Sequence, residues 1–421
     1  MIQWTYCPLN PSLEQPGRDV AGRGPGQTAS PAPEAGRSGS LAAMEFPRPP
    51  RGTVRIGVSM LLAALLAACG SSLLRAPEVP PDPDATRAQI ASLLPASVGN
   101  RSDWAADLYS ALEALKIEPS TRNVCAVLAV SEQESGYQVN PAVPNLPAIA
   151  RREIDAKAAK LHIPRFAVGA ALELRSPDGR SYRERIEAAR TEKALNDIYE
   201  DFLGQVPLGR RLFEGYNPVR TAGPMQVSVA FAEAHARERK YPFPMPGSLR
   251  DELFTRRGGL YFGAAHLLDY PAEYEAMIYR FADFNAGHYA SRNAAFQEAL
   301  ALASGRKLAL DGDLLIDGGS DSQASETELA ARSLGARLGL SEREIHRDLA
   351  RGEDAEFAKT RLHATVFGLA EARAKRTLPR ARLPQIRLEG PKITRKLTTE
   401  WFARRVDERY SRCLARATAA N

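Results

Sequence analysis

Three short segments, in this order, carry residue types suited to work on a sugar bond: Glu134-Ser135, Ala222-Gly223-Pro224-Met225-Gln226 and Phe284-Asn285-Ala286-Gly287. Breaking a glycosidic bond requires a proton on a poor leaving oxygen, and a carboxylic acid of raised pKa can deliver it. Glu134 follows the apolar run Val124-Cys125-Ala126-Val127-Leu128-Ala129-Val130. Such surroundings raise a carboxyl pKa by penalising the charged form. Glu132 lies two positions away, so on a helix it points elsewhere. In the second segment, Gly223 and Pro224 let backbone approach a ligand closely, and the Gln226 amide both donates and accepts. The third offers an aromatic face, Phe284, and a second amide, Asn285. Each segment alone also has a plain reading: a solvated helix end, a turn with Met225 in the core, a packed Phe beside an Asn cap.

These residues need elements to hold them. Leu108, Leu112 and Leu115 stand at helical spacing within 103–116, and 85–95 is amphipathic in the same way. Pro119-Ser120-Thr121 caps a helix over 120–135, which Gly136 ends. A long insert, 142–219, separates the first two segments. It should hold helices at 151–161 and 183–203, with a turn at Ser176-Pro177-Asp178-Gly179. A helix over 222–238 is expected to open at the second segment, followed by helices at 253–268, 273–284 and 293–304. The Gly/Asp/Ser-rich stretch 311–323 marks a boundary. Beyond it, 325–351 and 355–373 read as helical, 377–395 as extended and 398–415 as an amphipathic helix. Few runs favour strands, so the expected class is mainly α, with one domain over 85–305 and a C-terminal helical extension over 306–421.

The N-terminal part addresses the chain. Leu61 to Ala68 form a short apolar stretch behind Arg48, Arg51 and Arg55, the pattern of a signal peptide. It ends in Leu66-Ala67-Ala68-Cys69-Gly70, which resembles a bacterial lipobox; an ordinary secretory signal followed by a chance Cys is the alternative. That resemblance implies cleavage before Cys69, lipidation of its thiol and, with Gly70 next, placement at the outer membrane facing the periplasm. Residues 44–68 are then the signal peptide and 69–84 a proline-rich tether. Residues 1–43 are rich in Pro, Gly and Ser and poor in aliphatic side chains, as in a disordered extension; Met44 is the expected start. Cys125 and Cys413 remain, in a compartment where disulfides persist, and are a candidate bridge; two buried thiols are the alternative. The chain has 421 residues, 44% hydrophobic and 25% charged, with a net charge of +6 and no dense basic stripe. That composition suits a globular protein and does not suggest a nucleic-acid partner.

Glu134-Ser135-Gly136-Tyr137-Gln138-Val139-Asn140-Pro141 resembles the E-S-x-[FY]-x-x-x-P segment of the soluble lytic transglycosylases and goose-type lysozymes. Gly223-Pro224-Met225-Gln226 is similar to their G-L-M-Q, and Ala282-Asp283-Phe284-Asn285-Ala286-Gly287 to their A-x-Y-N-A-G. Between them, Gly258-Gly259-Leu260-Tyr261-Phe262 resembles the helix that carries their G-x-x-Y-L-x-x-L-L pattern, with Leu267-Leu268 two positions late. The ordered set covers about residues 103–300, and the whole chain also resembles a family of bacterial lipoproteins sharing this core. The resemblance implies a lysozyme-like catalytic domain and peptidoglycan glycan strands as partner. Glu134 would be the lone acid, closing a 1,6-anhydro ring on N-acetylmuramic acid. Ser135 would hold Glu134 or a substrate group, and Gln226, Phe284 and Asn285 would line the groove.

Two departures and the insert bear on activity. Phe284 replaces the family tyrosine, leaving Tyr279, Tyr289 or Tyr216 to supply a hydroxyl, with Tyr279 taken as the substrate-binding candidate. Pro224 replaces a leucine, and the insert reshapes one wall. A muramidase using water, or a non-catalytic peptidoglycan-binding scaffold, are the alternatives. No cofactor is expected. The six His residues show no metal spacing, and there is no G-x-S-x-G elbow of a serine hydrolase.

Overall fold

The structure, a computed structural model, describes residues 82–207, 209–316, 323–388 and 396–420. The expected extension 1–43, signal peptide 44–68, lipidation site Cys69 and nearly all of the tether lie outside these residues. The described chain is mainly helical. Helices α1 (Pro83–Leu93), α2 (Arg101–Leu115) and α3 (Thr121–Ser135) come first. The insert supplies α4 (Leu146–Lys160), α5 (Arg165–Glu173), α6 (Tyr182–Ala188), α7 (Glu192–Gln205) and the short α8 (Gly209–Phe213). A hairpin of β1 (Thr221–Ala222) and β2 (Val227–Ser228) leads into α9 (Val229–Glu238), α10 (Leu249–Leu253), α11 (Arg256–Leu268), α12 (Met277–Ala286) and α13 (Ala290–Ser304). Then come α14 (Glu326–Ser333), α15 (Gly335–Leu338), α16 (Glu342–Leu349) and α17 (Arg361–Ala374). The chain ends with the pair β3 (Arg387–Leu388) and β4 (Leu397–Thr398) and the long α18 (Thr399–Ala420).

Helix α3 is the central element. Val124 to Val130 are all at most 1% exposed, as expected of a helix apolar on every side. Helices α1, α11 and α18 pack around it. Ser120 caps its start, accepting from the Asn123 N–H at 3.4 Å. Gly136 ends it at φ 59°, and Tyr137 follows at φ 65°. Two successive left-handed residues turn the chain sharply away from the helix.

Two hydrophobic cores lie in residues 83–420. The first gathers α1–α7, the hairpin, α9–α12 and the inner face of α18. The second is built by α13–α17 with Phe296, Phe357 and Phe367 at its centre. The cores do not follow the expected division at 305. Phe402, Ala403, Val406 and Cys413 of α18 belong to the first core, so the last helix returns to α3 rather than extending outward. The Cys125–Cys413 disulfide joins the two helices across 288 positions of sequence. Beside it, Arg412 donates to Glu132 at 2.8 Å, with Arg409 at 3.6 Å.

Several local expectations change. The segment 222–238 is a hairpin before it is a helix, because Gly223 (φ 76°) and Gln226 (φ 51°) both adopt left-handed backbone. The run 183–203 breaks at Ala189 into α6 and α7, each with its own cap, Ser181 and Thr191. Residues 325–351 break into three helices, again capped by Ser325 and Ser341. Helix α1 starts at Pro83, inside the expected tether. The turn at 176–179 forms as expected: Ser176 Oγ and the Arg180 N–H both donate to the Asp178 carboxylate, at 2.7 and 3.0 Å.

Candidate functional site

Glu134 sits on the last turn of α3 and is 3% exposed. Its place at the end of a buried helix shelters the carboxyl from bulk water. Ser135 is fully buried, and its hydroxyl donates to the Ser131 carbonyl one turn back, at 2.9 Å. That donor is committed to its own helix. Tyr137, just past the end, meets Trp104 edge-on at 5.6 Å. Its hydroxyl donates to Glu132 at 3.5 Å.

The second segment forms the four-residue loop of the β1–β2 hairpin. It is pressed onto α11, whose glycines make this possible. A Cβ on Gly259 would lie 2.4 Å from Pro224 Cδ, and one on Gly263 would lie 2.2 Å from Met225 Sδ. On the other side, a Cβ on Gly223 would lie 2.3 Å from the Leu253 carbonyl oxygen. Pro224 therefore packs on Gly259. Met225 is fully buried. Gln226 uses both ends of its amide locally: Nε2–H donates to Gly223 O at 3.1 Å, and Oε1 accepts from Thr221 Oγ1 at 3.2 Å. One N–H and one lone pair of that amide are left for a ligand.

A small, shallow depression lies where three parts of the chain meet. Val139, Asn140 and Pro141, following Glu134, form one side. Gly223 and Gln226 form another, with Phe254. Glu192 and Lys193, at the start of α7, come from the insert. Lys193 holds Asp197 at 2.7 Å. Glu134 itself, Phe284, Asn285 and Tyr279 do not line it. The insert thus contributes directly to this wall, which the sequence reading left without named residues. Its signal was local: Thr191 before Glu192 marks a helix start.

The third segment closes α12. Asn285 is half-buried, and its Oδ1 accepts from the Thr399 hydroxyl at the start of α18, at 2.8 Å. Phe284 packs against the first core with its ring 4.9 Å from His266. Tyr279, five residues earlier on the same helix, is roughly 140° around it from Phe284. Its ring lies 5.7 Å from Tyr274, so it does not take the place of a hydroxyl on Phe284. Tyr289 donates its hydroxyl to the Pro271 carbonyl at 3.3 Å, and Tyr216 is an exposed residue of the insert.

Asp283 is the residue of this segment that the tertiary structure brings forward. It is fully buried and accepts four hydrogen bonds. Two come from the hydroxyls of Tyr270 and Tyr274, at 3.0 and 2.7 Å. Two come from the N–H groups of Tyr289 and Ser291, at 3.1 and 2.7 Å. Burial pushes its pKa upward, against the pull of these donors. The carboxyl pins the turn through Gly287 (φ 102°) and Tyr289 (φ 65°) that joins the two cores. Next to it, His288 stacks on Tyr270 at 4.1 Å, and its Nε2–H donates to the His266 carbonyl at 2.7 Å. His288 is therefore a packed ring rather than a surface group. Among the described residues no group of three His, Cys, Asp or Glu is arranged to hold a metal ion.

A family profile described as "Protein of unknown function (DUF1615)" matches residues 97–416. The chain belongs to this family. The match begins just before α2 and ends within α18, so it takes in the insert, the second core and all of the first core except the part from α1. The chain is also similar to "Uncharacterized protein YaiW" of Escherichia coli (strain K12), 52% identical over 361 residues, which cover 85% of this chain and 97% of that protein. No solved structure matches it.

Proposed function

We propose that the protein is a peptidoglycan lytic transglycosylase in which Glu134 is the acid. The observation that carries this reading is a carboxyl 3% exposed at the end of a buried helix, followed directly by a segment that lines an opening together with Gln226. Exclusion of bulk water is what an acid that protonates a sugar bond needs. Glu134 gives its proton to the oxygen between N-acetylmuramic acid and N-acetylglucosamine, and the bond to the anomeric carbon breaks. As carboxylate it then takes the proton of the muramic C6 hydroxyl, whose oxygen bonds to that carbon and closes the anhydro ring. The acid ends protonated, so no water is consumed.

Gln226 lines the opening and keeps one donor and one acceptor beyond its two local hydrogen bonds, and Asn285 is held by Thr399 at the start of the helix that packs along α3. A lipid tether at Cys69 would hold the domain beside the wall, where local concentration offsets weak binding.

One observation favours a second reading. Glu192 lines the same opening as Gln226. A second carboxylate is what a hydrolase needs to activate water, and a transglycosylase does not need one. The test is digestion of purified sacculi with mass spectrometry of the products. Anhydro products, at least about a hundredfold fewer with Glu134→Gln, support the proposal. Products heavier by one water, lost in Glu192→Gln, assign a muramidase. Sacculus binding without any cleavage leaves a scaffold and removes Glu134 from its role.

A further inference from the structure

We propose that the corner between α4 and α5, residues 160–175, is a wedge that enters the headgroup layer of an anionic phospholipid membrane. Phe166 is 80% exposed, the highest value of any large apolar side chain among the described residues. Leu161 and Leu174 flank it at 38% and 49%. Of the eight such side chains that are exposed, three fall in this one corner. Apolar exposure gathered in one place marks a contact surface, whereas scattered single residues do not.

The arrangement on α5 is two-sided. Val168 and Leu172 are buried against the first core. Phe166 and Ala170 lie on the opposite face, where folding does not require apolar groups. Space beside Gly169 is open, with nothing within 4 Å of where a Cβ would stand. The only acid on α5 is Glu173, and it is neutralised by Arg183 at 2.6 Å.

The surrounding charge selects the partner. Lys160, Arg165 and Arg175 border the apolar residues, all three exposed. Lys160, Arg165 and Arg175 have no ion pair among the described residues; Arg175 donates to the Gly179 carbonyl and also acts on the Glu184 carboxylate at a distance. A basic rim around exposed Phe and Leu on a short helix is the composition of an element that lies in a membrane interface. At nine residues, about 14 Å, α5 rests in that layer without crossing it. No helix among the described residues is long and apolar enough to span a membrane. This contact is independent of the catalytic reading. It adds a second attachment to the lipid expected at Cys69 and orients the folded part against the bilayer.

The test uses a chain starting at Asp82, which keeps every residue of both cores and lacks the lipid site. It is floated with vesicles of phosphatidylglycerol and phosphatidylethanolamine, and with vesicles of phosphatidylcholine alone. Binding to the anionic vesicles only is expected, at least tenfold weaker in Phe166→Asp, a difference of about 1.4 kcal/mol. Leu329→Asp, an exposed leucine on α14, should bind as the unmodified chain does. The proposal is overturned by absence of binding to anionic vesicles, or by binding that Phe166→Asp leaves unchanged. It is also overturned by a dimer in solution that Phe166→Asp splits, which would assign the wedge to a second copy of the chain.

Discussion

Acidification from pH 7 to pH 5 should destabilise the fold through two buried imidazoles. His288 lies between Tyr270 and His266, and burial holds its pKa down at about 4. His363 is 8% exposed, stacked on Phe296 and Phe367, and burial with the nearby charge of Arg292 and Arg380 holds it at about 4 as well. Both therefore stay neutral in the folded protein over a range in which the unfolded chain takes up protons, near the ordinary histidine value of about 6.5. Below that value the unfolded state binds more protons, so stability falls with pH until the folded pKa is reached. Integrated from pH 7 to pH 5, each site loses roughly 2 kcal/mol, or about 4 kcal/mol together. That is a large share of the roughly 5–15 kcal/mol typical of a domain. His266 acts in the same direction, being held well below its ordinary value by burial, with Nδ1 bonded to nothing among the described residues. Asp283, shifted upward by burial, acts oppositely. The measurement is urea unfolding at pH 7 and pH 5 for the unmodified chain and for His288→Gln and His363→Phe. Each variant should flatten the pH dependence by about 2 kcal/mol. Equal slopes in all three proteins would refute the reasoning.

Two further outcomes follow from the packing. Replacing Cys125 and Cys413 by alanine releases a loop closed across 288 positions; chain entropy sets a ceiling of roughly 5–6 kcal/mol, and a loss of ~2–5 kcal/mol is expected in urea unfolding. An unchanged midpoint would show that α18 needs no covalent tie to α3. Gly259→Ala drives a methyl against Pro224, 2.4 Å away, so a loss of ~1–3 kcal/mol and a displaced Gln226, read as weaker sacculus binding, are expected. Wild-type stability and binding together would mean that the loop yields freely.

Much of the frame was legible from residue pattern. The end of α3 at Gly136 follows from an apolar run, a Ser cap and a glycine, all local. The turn at Asp178 is equally local. The second segment misled because Gly-Pro before an apolar stretch fits a helix start as well as a hairpin loop. Left-handed backbone at Gln226, where glycine is not present, has no marker in sequence. Breaks at Ala189 and Leu334 were missed for a related reason: each follows a run that keeps helical spacing, and only the caps at Ser181, Thr191, Ser325 and Ser341 betray them.

The sequence by itself determined a mainly helical chain, the end of α3 at Gly136 and the pairing candidates Cys125 and Cys413. Those properties depend on hydrophobic spacing and residue type within a few turns. Tertiary structure alone decided that α18 closes on α3, that Glu192 and Lys193 of the insert share an opening with Gln226, and that Asp283 gathers four donors. Such contacts join residues tens to hundreds of positions apart. Their formation depends on how whole helices pack, which no local pattern encodes.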